Sequence, residues 1–179
     1  MHVLLVFDLC ISFFFFFPVA SVGVEVHDGS TVYVSMLPNP SHLESVNPVG
    51  LGKARARQLS LRDGPAYSGG QGPEPPNTTS PSRVLSLQMH GDASFAAQGV
   101  VMESLGLASL PHFNVGGTVH LVQNNQLGFT TGEDHGRSSH HCSDVAKMIG
   151  APVIHVNGDN PLVIINHNRD HAKVVVGLI

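Results

Sequence analysis

Cysteine and charge are both scarce in this chain. Cys10 and Cys142 are the only 2 cysteines. They form no disulfide framework, so a reducing compartment is the default. Charged residues make up 12% of the 179, and the net charge is −4 with histidines neutral. That balance gives no footing to a nucleic-acid binder. Hydrophobic residues at 42% permit a packed core, and the length sets about one domain.

Several motifs are missing too. No Gly-x-Gly-x-x-Gly follows the strand at residues 84–90, and no acidic residue stands at the expected later strand end. Both absences argue against a nicotinamide-binding Rossmann domain. Ser94 lacks the Gly-x-Ser-x-Gly elbow of a serine hydrolase. Residues 3–24 are the most hydrophobic stretch, with Phe13 to Phe17 in a row. No Lys or Arg precedes it, so the basic region of a secretory signal is lacking, and so is the Arg-rich pattern of a mitochondrial presequence. Asp8 and Pro18 interrupt it and make it a marginal membrane span, with a signal or anchor as the lesser reading.

What is present centres on His90-Gly91-Asp92-Ala93-Ser94-Phe95-Ala96-Ala97-Gln98-Gly99, answered by Asn124-Asn125-Gln126-Leu127-Gly128. Strand-like runs, Val84 to Met89 and Thr118 to Gln123, lead into the two pieces. Asp92 and Asn125 are 33 positions apart (125 less 92). That spacing suits strand, turn, helix, connection, strand. Both residues then emerge at neighbouring carboxyl ends of one parallel sheet, where open α/β sheets bind ligands. A carboxylate and an amide oxygen are hard ligands, suited to magnesium or calcium, and magnesium usually shares its shell with phosphates. Leu127 adds a backbone carbonyl from the same loop. The N–H groups from Gly91 to Ala93 can meet a phosphate with no side chain in the way. The expectation from the residues is a magnesium-diphosphate site.

Gly-Asp-Ala followed at this distance by Asn-Asn resembles the thiamine-diphosphate signature of transketolase-like enzymes. The longer text, His90 to Val101 and then Asn124 to Thr131, resembles the thiamine-dependent first component of the 2-oxoglutarate dehydrogenase family. Leu110-Pro111-His112-Phe113 and His155-Val156-Asn157-Gly158-Asp159 bring it closer to the paralogue acting on 2-oxoadipate. The resemblance implies an α/β, parallel-sheet, transketolase-like fold, of which this chain holds the diphosphate-binding half. It implies that Asp92, Asn125 and the Leu127 carbonyl hold magnesium, which holds thiamine diphosphate. Gly91, Ala93, Ser94, Phe95 and Gln98 would complete the cofactor pocket. Asn39-Pro40-Ser41-His42-Leu43-Glu44 also matches, and implies that His42 contacts the 2-oxo acid. An imidazole suits that role because it can donate to a carboxylate or developing oxyanion near neutral pH; without the resemblance, His42 is a surface histidine beside a turn.

The activity so implied is oxidative decarboxylation of 2-oxoglutarate, of the succinyl-transferring type, or of 2-oxoadipate. The acyl group passes to a lipoyl group on the second component. The two substrates differ by one methylene, which a pocket resolves by only about 1–3 kcal/mol. The family also implies a homodimer and the mitochondrial matrix. Its members are several times longer, with the pyrimidine-binding domain and its activating glutamate downstream. An isolated fragment is therefore expected to be inactive. The alternative reading is a truncated chain that binds a homologous subunit.

In chain order, residues 1–29 read as non-family sequence from a faulty gene model, and 162–179 as a non-family tail around the partial domain at 30–161. Thr31 to Leu37 alternates as a strand. Ser41 is expected to cap a short helix with Glu44 at its third position, and Lys53 to Arg57 to be a solvated basic face on a helix. Residues 63–82, rich in Gly, Pro and Ser, read as a flexible loop; its Asn77-Thr78-Thr79 sequon is read as chance. Positions 97–109 read as a helix with Val100, Val101, Leu105 and Ala108 facing the sheet. Arg137-Ser138-Ser139 resembles a motif of the family's active-site loop. His135, His140, His141 and Cys142 fit no closed zinc pattern. Ser143 is expected to cap a helix over Asp144 to Ile149, and Ala151 to Val156 to form a third strand.

Overall fold

The computed structural model describes residues 20–61, 63 and 83–155. Its first element is an antiparallel hairpin of β1 (Ala20–Glu25) and β2 (Thr31–Met36), paired from Ala20↔Met36 to Glu25↔Thr31. The turn is closed by Gly29, at φ +77°, and by Asp28, whose Oδ1 accepts from the Ser30 N–H at 2.9 Å. The strand expected at Thr31 is present. Its partner β1 was not expected. Its signal was the alternation Val22, Val24, Val26 ahead of Asp28-Gly29, a dipeptide that favours tight turns.

Helix α1 (Asn47–Leu61) carries Pro48 in its first turn, where no N–H is needed. Lys53, in the expected basic face, reaches back to donate to Ser35 Oγ at 2.6 Å. The short helix capped by Ser41 is not formed. Residues 43–46 turn instead, and Glu44 takes φ +67°, outside any helix.

The expected βαβ unit is present. β3 (Ser86–Gly91) and β4 (Thr118–Gln123) pair in parallel from Ser86↔Thr118 to Gly91↔Gln123. Two helices fill the crossover where a single one at 97–109 was expected. α2 (Asp92–Ala97) starts directly off β3, and α3 (Gly99–Leu107) follows an extended Gln98 at φ −82°, ψ 119°. The early start has a local cause. Asp92 places a negative charge in the first turn and Ala93, Ala96 and Ala97 are strong helix formers. Val101 and Leu105, one turn apart, are buried with Phe95, and Val122, Val145 and Ile149 pack against them. Each such side chain contributes about 1.5–3 kcal/mol when fully buried. Val100 and Ala108 are only half-buried.

After β4 come a short helix, α4 (Glu133–Gly136), and a 3₁₀ helix over Cys142–Ile149. The cap of the latter is His141, not Ser143: Asp144 Oδ2 accepts from the His141 N–H at 3.3 Å, and Ser143 Oγ meets His155 Nε2 at 3.0 Å. Gly150, at φ +66°, ends the helix in a left-handed turn. Residues 151–155 form no strand, which corrects the expected third strand. Pro152 has no N–H to give a ladder. Val156, the tail beyond it, residues 1–19 and the loop at 64–82 with its sequon lie outside the described residues. Among the described residues no helix is long and apolar enough to cross a membrane.

Candidate functional site

The in-register pairing of Gly91 with Gln123 brings the two carboxyl strand ends to one edge. Asp92 follows one strand and Asn124-Asn125 the other. The loops touch: a Cβ on Gly128 would lie 3.4 Å from Ala93 Cβ and 3.3 Å from Thr131 Cβ. A larger residue there would push the loops apart.

Asp92 is 1% exposed. Its Oδ2 accepts from Arg137 Nη1 at 2.9 Å, while Oδ1 is buried without a partner. Asn125 is exposed, and its Oδ1 accepts from the Leu127 N–H at 3.1 Å, an Asx turn. Leu127 itself is 70% exposed. Gly91 is exposed and Ala93 and Gln98 are half-buried, whereas Ser94 and Phe95 are buried. Phe95 belongs to the core and packs on the rings of His90 and His120, at centroid distances of 4.7 and 5.7 Å. His42 is an exposed residue at the turn leading to Glu44, with its carbonyl accepting from Ser45 Oγ at 2.8 Å.

Behind this edge lies a buried chain of polar groups that the sequence reading missed. Glu44 Oε2 meets His90 Nδ1 at 2.6 Å, and His90 Nε2 meets His120 Nδ1 at 2.9 Å. Ser94 Oγ donates to Glu44 Oε1 at 2.7 Å, and Asn47 Nδ2 donates to Oε2 at 2.6 Å. Burial works against ionisation of Glu44. The hydrogen bond and charge attraction of His90, with the hydrogen bonds from Ser94 and Asn47, outweigh it and hold the carboxyl below the usual range. Burial, then the charge of His90, depress His120 to about 4, against a smaller opposing pull from Glu44. The signal was the run of polar residues at alternate positions, Ser86, Gln88, His90 and Thr118, His120.

Backbone strain gathers at the same place. Among the described residues, the non-glycine residues with positive φ are Glu44 (+67°), Gln126 (+60°) and Thr130 (+56°). Such conformations cost about 1–3 kcal/mol each and persist where the surroundings over-determine them. Glu44 is held by its hydrogen bonds, and Gln126 lies within the Asn125 turn. Among the described residues no group of three or more His, Cys, Asp or Glu side chains has a metal-holding arrangement, His135, His140, His141 and Cys142 included. The rings of His140 and His155 pack on His141 instead.

The family model described as "Dehydrogenase E1 component" matches residues 23–172. The chain belongs to the dehydrogenase E1 component family. The match is wider than the 30–161 stretch read from the motifs. The chain is 54% identical over 150 residues to the human protein called 2-oxoadipate dehydrogenase complex component E1, covering 82% of this chain and 16% of that protein. It is 48% identical over 150 residues to the mouse protein of that name, with 84% and 16% covered. It is 53% identical over 151 residues to a probable homologue in Caenorhabditis elegans, again with 84% and 16% covered. This E1-family chain thus spans about 16% of the length of the curated relatives it matches. The recognised motifs, His42 to Glu44, His90 to Gln98 and Asn124 to Gly128, all fall within the matched residues.

Proposed function

We propose that this chain is the diphosphate-binding part of a thiamine-diphosphate-dependent E1 component acting on 2-oxoadipate. The observation that carries the reading is the unpartnered, buried Oδ1 of Asp92 at the end of β3, beside a strained Asn125 turn at the end of β4. The names of the relatives favour 2-oxoadipate over 2-oxoglutarate, and with it glutaryl rather than succinyl transfer.

The donor set suits magnesium. Asp92 Oδ1 is a free carboxylate oxygen in a place that water does not reach. Asn125 Oδ1 uses one lone pair on Leu127 N–H and keeps a second. The Leu127 carbonyl lies on the same turn. These are hard oxygen ligands, and a magnesium ion so held takes its remaining ligands from phosphate and water. Magnesium held by Asp92, Asn125 and the Leu127 carbonyl would anchor the diphosphate and neutralise its charge.

Thiamine diphosphate, when bound, would supply a nucleophilic carbon and an electron sink for decarboxylation of the 2-oxo acid. Gly91, Ala93 and Gln98, at the exposed or half-buried rim, would face the cofactor. Ser94 and Phe95 support the rim from inside: Ser94 ties it to Glu44, and Phe95 ties it to the core. His42 donates a hydrogen bond to the carboxylate or oxyanion of the 2-oxo acid. In the whole protein the acyl group passes to a lipoyl-bearing second component, in a homodimeric E1 of the mitochondrial matrix.

A second reading concerns the chain by itself. Leu87 and Met89 are 38% and 51% exposed on one face of the parallel pair, and parallel sheets are ordinarily covered on both faces. That favours a chain whose sheet face packs on other protein, as in the subunit-binding reading.

The deciding test is calorimetric titration of the purified chain with thiamine diphosphate, with and without magnesium, beside Asp92→Ala. The expected result is magnesium-dependent binding that the substitution removes. A chain that circular dichroism shows to be folded, yet binds neither with nor without magnesium, overturns the reading.

A further inference from the structure

The Asp92 carboxylate is engaged at the oxygen opposite the orphaned one. Arg137 Nη1 donates to Oδ2 at 2.9 Å, and the two side chains are 12% and 2% exposed. Each member of the pair retains one buried polar atom without a partner, Asp92 Oδ1 and Arg137 Nε. An orphaned buried group keeps its full desolvation cost. The pair is therefore incomplete on both sides: the carboxylate has room for another cation, and the guanidinium for another acceptor. Arg137 directly follows α4, between the Asn125 loop and the 3₁₀ helix. Cys142 is buried at the start of that helix. Burial raises its thiol, and Arg137 and Asp92 pull it in opposite directions.

We propose that Arg137 is the resident counter-ion of Asp92, holding the carboxylate while no divalent cation is bound and leaving it when one binds. The inference rests on the reading of Asp92 as a metal ligand. Its physical basis is simple. A buried carboxylate needs a compensating charge. A guanidinium and a divalent cation on the same carboxylate repel each other across a few ångströms of poorly screening interior. Arg137 thus competes with the metal, and its release frees residues 133–141 to move. Loading of the metal and the position of this segment are then coupled.

The test uses the full chain and Mn²⁺ alone as probe, with free Mn²⁺ followed by electron paramagnetic resonance at mildly alkaline pH. Arg137→Gln is expected to bind Mn²⁺ about tenfold more tightly than the parent, or about 1.4 kcal/mol. Asp92→Asn is expected to lose binding. If Arg137→Gln binds as the parent or more weakly while Asp92→Asn loses binding, the counter-ion role is overturned and the ligand role of Asp92 stands. If Asp92→Asn binds like the parent, or no chain binds, both fall together. Nitrogen NMR of arginine in the unsubstituted chain covers the case in which Arg137→Gln does not fold. The paired Arg137 signals should shift as Mg²⁺ is added, and signals that stay fixed while Mg²⁺ binds overturn the proposal.

Discussion

Replacing His120 by Asn should flatten the acid side of the chain's stability profile. The Asn amide can present an oxygen or an N–H near the place of Nδ1, so the contact with His90 at 2.9 Å can survive whichever ring donates, while the titrating ring is gone. In the folded chain burial, then the charge of His90, lower the ring from 6.5 to about 4. As pH falls through 6.5, the unfolded chain takes up a proton that the folded chain refuses until about 4. The unfolded state therefore binds more protons in this window, and stability falls as pH falls. At about 1.4 kcal/mol for each pH unit, the ceiling is about 3 kcal/mol, with about 2 kcal/mol of it lost between pH 7 and pH 5. Glu44 behaves differently. Its folded value lies below 4.5, so its contribution is present above 4.5 and lost as pH falls through the folded value. The two windows separate, and the slope between pH 7 and pH 5 isolates the histidine. Urea unfolding of parent and His120→Asn at these two pH values, followed by circular dichroism, measures it. The exposed histidines cancel in the difference. Equal pH dependence in the two chains would refute the assignment of a neutral, buried His120.

Two further outcomes follow from the packing. Leu105→Ala, which empties a site only 3% exposed beside Phe95 and Val101, should cost about 2–5 kcal/mol by urea midpoint; a cost under about 1 kcal/mol would show that this cluster is not the core. Leu87→Lys with Met89→Lys, on the exposed sheet face, should change stability by no more than about 0.5 kcal/mol each and reduce the fluorescence of a bound apolar dye; a much larger loss would mean that the face is covered.

The βαβ unit was legible because its signals are local. Strand runs, the Gly116-Gly117 turn and the 33-residue spacing of Asp92 and Asn125 need no knowledge of the rest of the chain. Gly116 and Gly117 do take positive φ, +80° and +132°. The expected site residues split. Asp92, Ala93 and the Asn125 loop are brought to one edge, while Phe95 lies in the core. What failed depended on tertiary context. Ser41 and Ser143 carry cap chemistry, yet neither caps a helix, because Glu44 is drawn into a turn by His90 and Ser94, and Ser143 meets His155. Arg137 was placed in an active-site loop by its text, but no pattern in the sequence pairs it with Asp92, 45 residues away.

The polarity of β3 has its explanation in α1. Ser86, Gln88 and His90 face inward, and Leu85, Leu87 and Met89 face out, the reverse of what alternation ordinarily means. The inward layer is bonded rather than oily. Gln88 Nε2 donates to the Asn47 carbonyl at 3.1 Å, and Gln58 Nε2 donates to the Val115 carbonyl at 2.6 Å. Glu44, just ahead of α1, closes the chain through His90 to His120. Each bond contributes about 0.5–1.5 kcal/mol net, but one left unmade costs about 1–3 kcal/mol. Such a layer is unforgiving of misplacement in a way that an apolar layer is not. A slip of one residue between β3 and β4 would turn one strand's side chains to the other face, carrying its histidine out of the layer and leaving the polar groups that stay inside without that partner. The polar layer thus penalises every register except the one that sets Gly91 opposite Gln123. That register is what brings Asp92 to the Asn125 loop, so the buried network positions the two halves of the candidate site.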